Sequence, residues 1–483
     1  MADGPLIVQS DRTVLLEVAH PDAESARHEL AIFAELERAP EHIHTYRITR
    51  LGLWNARAAG HTAEDMLGTL DRWTRFPVPP SVAIDIRETV GRYGRLVIER
   101  DTVDDSEEPV LVLRSTDAAV LAEVTKNKRI QPLLVGHPAP DTYVIDAWAR
   151  GQIKQELLKI GWPAEDFAGY TPGTPHPIDL AEQDWHLRPY QRQAVDAFTD
   201  GGSGVVVLPC GAGKTLVGAG AMADTKTTTL ILVTNTVSAR QWRDELLKRT
   251  SLTPEEIGEY SGQAKEVKPV TIATYQILTA KRKGQYAHLA LLDALDWGLI
   301  VYDEVHLLPA PVFKLTADLQ ARRRLGLTAT LVREDGREGD VFSLIGPKRF
   351  DAPWKEIESQ GFISPAACYE VRVDLPAGER LEYAAAADDE RYRLAATAPA
   401  KIGVVKDLVA RHAGEQTLVI GQYLDQIDEI AQALDAPQIT GATPVDEREE
   451  LYRGFREGKI PVLVVSKVAN FSVDLPEASV AIQ

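Results

Sequence analysis

Short apolar runs recur through the middle of this chain, separated by stretches with the spacing of amphipathic helices. The runs at 205–208, 229–233, 270–274, 299–302 and 324–328 are brief and mostly apolar, with Thr, Gly or Arg interspersed in the third and fifth. That pattern predicts strands buried on both faces. Helices are predicted between them, at 214–223 and 238–249. Buried strands alternating with helices predict a parallel, doubly wound sheet. A second series of the same kind begins near residue 365, with strands at 417–420 and 462–465.

The first third of the chain is more mixed. Strands are predicted at 6–9 and 14–18, a helix at 22–37 started by Pro21-Asp22, and helices at 63–67 and 80–91. A strand at 96–99 closes a first small domain over 1–100. A strand at 110–113, a helix at 118–125, strands near 135 and at 142–145 and a helix over 146–160 predict a second domain over 101–168. Residues 169–185 open on Gly169-Tyr170-Thr171-Pro172-Gly173-Thr174-Pro175-His176-Pro177, a strong linker signal. The remainder divides into a lobe over 186–357 and a lobe over 358–483. The expected class is α/β: two parallel-sheet lobes preceded by two small α/β or α+β domains.

A chain of 483 residues is too long for one core. Its formal charge is −18, distributed as −11 over 1–185, +3 over 186–350 and −10 over 351–483. Acidity on this scale argues against a passive, charge-driven nucleic-acid binder, although a local groove can still be positive. The two cysteines, Cys210 and Cys368, exclude a disulfide or zinc framework and fit a reducing cytoplasm. No apolar run is long enough for a membrane span, and no signal peptide is expected.

Pro209-Cys210-Gly211-Ala212-Gly213-Lys214-Thr215 follows a buried strand and opens a helix. A bound phosphate needs backbone N–H donors, a positive helix end and a point charge, and this turn offers all three. Gly211, Ala212 and Gly213 are expected to form the cradle, Lys214 to reach the β/γ phosphates of ATP, and Thr215 to ligate Mg²⁺. Leu208 stands where the stricter motif has glycine, so this is its shortened form. Asp303-Glu304-Val305-His306 ends another buried strand. The carboxyl end of such a strand faces the ligand crevice. Asp303 is expected to hold Mg²⁺, Glu304 to activate the attacking water, and His306 to relay the state of this centre. Thr328-Ala329-Thr330 ends a further strand and can link those acids to a moving part. Leu187-Arg188-Pro189-Tyr190-Gln191 precedes the loop. The Gln191 amide matches the donor and acceptor on an adenine edge, with Arg188 beside it. A polar helix start is the simpler alternative.

In this order the motifs resemble superfamily 2 helicases, and more narrowly the XPB family of DNA repair helicases. Arg333-Glu334-Asp335 just after Thr330 narrows the match; without the family it is only a charged loop. The resemblance implies two RecA-like lobes, the second incomplete, with a hinge over 348–364 and a thumb-like insert near 379–401. It implies that Asp474, within Asn470-Phe471-Ser472-Val473-Asp474-Leu475-Pro476, meets the nucleotide across the cleft. It likens 1–100 to the family's amino-terminal domain and 101–168 to its damage-recognition domain. It also implies 3′-to-5′ polarity and a nuclease or repair-complex partner. One departure stands out: the family's Gln-Arg-x-Gly-Arg-x-x-Arg motif does not occur. Arginine fingers contribute about 10³–10⁵ in rate in related systems. The chain is therefore expected to be a fragment that binds ATP but turns it over poorly.

DNA contacts are less sharply encoded. Thr234, Arg240 and Thr274 are candidates for gripping one strand, or a junction, through its phosphates without regard to sequence. Thr328, Thr330, Arg333, Glu334 and Asp335 are expected to couple the nucleotide to DNA. Trp242 is expected to pack in the core rather than stack on a base. An RNA helicase and an ATP-gated DNA-binding module without turnover remain the alternatives.

Overall fold

The computed structural model describes residues 4–483 apart from 41, 103–107, 283–284, 321, 332–337, 353, 366, 467–474 and 476. The chain divides into two compact units, Met1–Val233 with Trp242–Phe362, and Thr234–Gln241 with Ile363–Gln483.

The first unit begins with strands β1 (Leu6–Val8) and β2 (Thr13–Glu17), helix α1 (Ala23–Leu30), and strands β3 (Ala34–Arg38) and β4 (Ile43–Ile48). These strands form an antiparallel sheet in the order β1-β2-β4-β3. Helices α2 (Arg50–Ala58), α3 (Ala63–Trp73) and α4 (Pro80–Arg92) complete a core that includes Leu16, Phe33, Leu53, Leu70 and Ile86. Thr49 caps α2, and Thr62 with Asp65 forms a capping box on α3, so both starts are locally determined. The helix expected over 22–37 stops at Leu30. Residues 34–38 instead pair antiparallel with β4, because sheet pairing outweighs the helical propensity of this segment.

A second sheet contains β5 (Leu96–Asp101), β6 (Val110–Arg114), β7 (Leu134–Ala139), β8 (Thr142–Ile145) and β9 (Ala164–Asp166), in the order β7-β8-β6-β5-β9. Helices α5 (Ala118–Thr125) and α6 (Arg150–Lys159) pack with it. The strand at 96–99 was expected to close the first domain. It belongs here, paired antiparallel with β6 and parallel with β9.

The large sheet of the first unit follows. Its elements are α7 (Pro189–Gly201), β10 (Ser203–Val207), α8 (Lys214–Thr225), β11 (Thr229–Val233), α9 (Thr236–Arg249), β12 (Ile257–Tyr260), β13 (Val270–Thr274) and α10 (Tyr275–Thr279). A two-stranded hairpin, β14 (Lys281–Arg282) and β15 (Gln285–Tyr286), precedes β16 (Leu299–Asp303), α11 (Ala310–Asp318), β17 (Arg323–Thr328), α12 (Glu338–Leu344), β18 (Lys348–Asp351) and α13 (Trp354–Ser359). Seven strands align in the order β12-β13-β11-β16-β17-β10-β18, and every neighbouring pair is parallel. The apolar runs are strands within this sheet. β11, β13 and β16 are buried along their whole length, which explains their lack of polar alternation.

Both small domains dock on the large sheet. The Asn55 side-chain oxygen accepts the Lys348 N–H at 2.8 Å, and Trp54 and Tyr93 pack against Phe342. Gln155 donates to Asp340 at 2.7 Å. Residues 169–185, expected as a linker, are held as a strap. Thr174 N–H donates to the Asp296 carbonyl, Thr228 N–H to Thr174, His176 N–H to Lys226, and Ala181 N–H to Arg249. Ile178 is fully buried. The Gly-Pro composition marks a chain that must press against the sheet, not one that swings free.

The second unit carries α14 (Ala377–Ala385), α15 (Asp388–Ala396), α16 (Ala400–Arg411), β19 (Thr417–Ile420), α17 (Leu424–Leu434), β20 (Gln438–Ile439), α18 (Val445–Arg456), β21 (Val462–Val465) and β22 (Val480–Ile482). Its strands are parallel in the order β20-β21-β19-β22. The residues near 379–401 form an exposed helical pair, α14 and α15.

Gly173 holds the strap against Gly298. Its φ is +74°, and a Cβ there would sit 2.3 Å from the Gly298 backbone. Gly173→Ala is expected to destabilise the first unit by about 2–4 kcal/mol, from the left-handed backbone plus overpacking. Chemical denaturation of the 483-residue chain checks this; an unchanged midpoint would show that the strap is not under this constraint.

Candidate nucleotide and coupling site

Parallel strands deliver all their carboxyl ends to one edge of a sheet. β10 leads into the phosphate-loop sequence, β17 ends at Thr328, and β16 ends at Asp303, with β17 lying between the other two. Leu208 N–H donates to the Thr328 carbonyl at 2.9 Å, tying the loop to that strand end. Gly211 and Gly213 have φ of +76° and +79°, in the left-handed region that favours glycine. A Cβ on Gly213 would lie 2.5 Å from the Gln191 side-chain nitrogen. α8 then starts at Lys214, so the N–H groups of Lys214 and Thr215 have no intrahelical acceptor. Turn, helix end and ammonium meet the requirements of a phosphate cradle.

Asp303 is 8% exposed. Its Oδ2 accepts the Trp242 indole N–H at 2.8 Å and its Oδ1 accepts the Glu304 N–H at 3.0 Å. The Tyr275 hydroxyl donates to its carbonyl at 2.7 Å. Burial and the adjacent Glu304 charge push the Asp303 carboxyl above the usual range. A divalent cation relieves that repulsion. Among the described residues no cluster of three or more His, Cys, Asp or Glu could hold an ion unaided. A Mg²⁺ ion needs only one or two protein oxygens, because it keeps waters and nucleotide phosphates among its ligands, and the Asp303 carboxylate and Thr215 hydroxyl have the oxygen chemistry it takes.

Glu304 adopts φ +48°, left-handed for a residue with a side chain. Such strain persists where the surroundings enforce it. Its Oε1 lies 3.3 Å from Lys214 Nζ and its Oε2 3.4 Å from His306 Nδ1. His306 Nδ1 is also 2.8 Å from the Thr328 hydroxyl, which lies 2.6 Å from the Thr330 carbonyl. A carbonyl only accepts, so the Thr328 proton goes to Thr330. The hydroxyl oxygen must then accept from His306, which places the imidazole proton on Nδ1. Lys214, Glu304, His306, Thr328 and Thr330 thus form one continuous polar chain.

Gln191 is found elsewhere in the bonding scheme than expected. Its Oε1 accepts the Arg188 N–H at 2.9 Å and its Nε2 donates to the Ala212 carbonyl at 2.8 Å. It is 1% exposed, and both ends of its amide are engaged, so it braces the phosphate loop rather than presenting an open edge to a base. Tyr190 donates to the same carbonyl at 2.8 Å. The Arg188 guanidinium donates to the Phe362 carbonyl at 3.0 Å and lies 4.8 Å from the centre of the Phe362 ring.

Thr274 is the last residue of β13, on the same sheet edge, and α10 starts directly after it. Thr234 and Arg240 fall in the segment grouped with the second unit, where Thr234 lies 3.3 Å from the Ser238 hydroxyl and Arg240 pairs with Glu449. Arg333, Glu334, Asp335 and Asp474 lie outside the described residues. Two supports of Asp303 were missed from the sequence, the Trp242 indole and the Tyr275 hydroxyl. Trp242 is indeed buried, and its indole also holds the Asp303 carboxylate. A contact across 61 residues leaves no local signal.

A family model described as ERCC3/RAD25/XPB C-terminal helicase matches residues 357–483, and one for the type III restriction enzyme res subunit matches 184–333. One for a helicase conserved C-terminal domain matches 6–139, across the boundary expected at residue 100. The chain is 68% identical over 483 residues to the DNA 3′-5′ helicase XPB of Kineococcus radiotolerans, covering all of this chain and 86% of that protein. It is 62% identical to the DNA 3′-5′ helicase XPB of Mycobacterium tuberculosis, covering 100% of this chain and 87% of that protein. The Saccharomyces cerevisiae general transcription and DNA repair factor IIH helicase/translocase subunit XPB/SSL2 is 30% identical over 546 aligned residues, spanning 100% of this chain and 65% of that protein. With identity this high along its whole length, this chain belongs to the XPB family of DNA 3′-5′ helicases.

Proposed function

We propose that this chain is an ATP-driven DNA helicase or translocase that moves along one strand in the 3′-to-5′ direction during DNA repair. The observation that carries the reading is the 3.3 Å approach of Lys214 to Glu304, which joins the phosphate cradle to the acidic strand end. Lys214 and the N–H groups opening α8 bind the β/γ phosphates. Arg188 lies on the base side, and reading of adenine by Gln191 requires its amide to exchange its present partners. Thr215 and Asp303 hold Mg²⁺, whose charge offsets that of the phosphates. Glu304 orients the attacking water and accepts its proton. Asp474 is assigned to nucleotide contact on the family resemblance of its motif alone.

His306, Thr328 and Thr330 carry the change at Glu304 towards Arg333, Glu334 and Asp335, which act on DNA. Thr234, Arg240 and Thr274 hold strand phosphates, so binding is independent of sequence. The partner is a nuclease or repair complex, a proposal supported by a yeast relative named as a subunit of a transcription and DNA repair factor. No helix among the described residues is long and apolar enough to cross a membrane, and we place the protein in the cytoplasm.

Phosphate release with ATP, alone and with single-stranded DNA or RNA, tests the assignment. DNA should stimulate release and RNA should not; the reverse would replace the DNA reading with an RNA helicase. Lys214→Ala should abolish stimulated release. Glu304→Gln should lower turnover by about 10²–10⁴ while ATP still binds, and normal turnover would falsify its role as base.

Trp242→Phe keeps an aromatic ring but leaves a small cavity and removes the indole N–H, whose hydrogen bond to a charged group contributes about 1.5–3 kcal/mol. It should raise the Mg²⁺ concentration needed for half-maximal release, and an unchanged Mg²⁺ dependence would remove Trp242 from the metal site. Thr328→Val cuts the polar chain with little change in volume. DNA stimulation should fall about tenfold, a loss equivalent to about 1.4 kcal/mol, while basal release persists. Equal loss of both would make Thr328 structural.

A further inference from the structure

A cavity of about 280 Å³ opens where the two small domains and the strap meet the amino ends of β10 and β17. At roughly 30 Å³ per liquid water it has room for about nine waters, near the lower end of small-molecule sites. Its wall is unbalanced in charge. Arg57 of α2, Lys154 of α6, Arg324 of β17 and Arg349 of β18 line it against Glu165 and Asp166 of β9.

Those carboxylates leave most of the positive charge unanswered. Asp166 already serves Lys154 at 2.7 Å and Arg150 at 2.8 Å. Arg150 keeps a buried Nη1 without an acceptor among the described residues. Arg324 is 1% exposed, and its Nε and Nη1 donate to main-chain carbonyls of Leu319, Gln320, Arg322 and Leu344. Its Nη2 has no acceptor among the described residues. Arg349 donates to the carbonyls of Ser203 and Gly201. The Arg57 guanidinium makes no hydrogen bond or ion pair among the described residues; the Glu165 carboxylate is near enough to feel its charge and that of Arg349, so one carboxylate answers two guanidiniums. The Tyr170 ring lies 5.7 Å from the guanidinium carbons of both Arg150 and Arg324, which adds attraction but no countercharge. Burial, with repulsion from Arg324 and Arg150, holds the Lys154 ammonium down to about 8 despite Asp166.

Buried cations in excess of their partners are costly. We infer that this cavity binds a compact phosphate-type oxyanion, at a site separate from the phosphate loop. The open guanidinium fork of Arg57, with the remaining donor of Arg324 opposite, suits paired oxygens rather than a halide. The separation is structural: Arg324 lies four residues before Thr328 on β17, roughly 13 Å along the strand from the nucleotide edge. The inference does not rest on helicase activity, and its test reads no turnover.

Inorganic pyrophosphate is the probe, titrated calorimetrically into the 483-residue chain carrying Lys214→Ala to remove the phosphate loop's claim on it. One equivalent should bind. Adding Arg57→Ala should weaken binding tenfold or more, and Arg57→Lys, which keeps the charge but not the fork, several-fold. Loss of all binding with Lys214→Ala alone, or no change on adding Arg57→Ala, overturns the site. Thermal unfolding without pyrophosphate separates a structural role: removing an unpaired cation should leave the midpoint in place or raise it. A lowered midpoint would assign Arg57 to the fold and overturn the inference.

Discussion

A carboxylate at the end of a fully buried strand is the constraint on which the first unit turns. Moving a charge out of water costs several kcal/mol even after relaxation, so Asp303 needs donors that do not move. Trp242 and the Glu304 N–H supply them, one to each oxygen. The second donor comes from a residue held in the left-handed region, so the strain at Glu304 and the support of Asp303 are one feature. That same backbone turn accompanies the approach of the Glu304 carboxylate to Lys214 and His306.

The parallel register makes this local arrangement useful. Val207 pairs with Thr328, and Asp303 with Leu327, so three strands end almost level. A cradle, a hydroxyl and an acid from distant parts of the sequence thereby meet without any loop having to reach. Glycine is required on the cradle side for a steric reason as well as a conformational one. Gln191 fills the space that a side chain at position 213 would need.

What could be read from the sequence was what is decided locally. The phosphate loop lies between an apolar run and a helix start, and the acidic box ends another apolar run, so Lys214, Thr215, Asp303 and Glu304 were identifiable from order alone. The parallel sheet followed from strands with no polar alternation. What escaped reading depends on partners far along the chain. Residues 34–38 are helical by propensity and become a strand because β4 has an edge to pair. The Gln191 amide has the right groups for adenine, yet Ala212 and the Arg188 N–H occupy them. The strap reads as linker because glycine and proline mark both a flexible tether and a chain pressed against its neighbour. Only the position of Gly298 decides between them.

The two ends of β10 and β17 divide the labour of the unit. At their carboxyl ends lie the phosphate loop and Thr328; at their amino ends lie Ser203 and Arg324, facing the small domains. Strands of five and six residues buried in a close-packed sheet have little room to bend, so their ends are positioned together. Arg324 answers to two requirements at once. Its main-chain hydrogen bonds fix the turn after α11, and its remaining donor meets the cavity shared with α6, β9 and the strap. A change in how the small domains sit against Arg324 must therefore be accommodated at the foot of the strand that ends in the Thr328 hydroxyl.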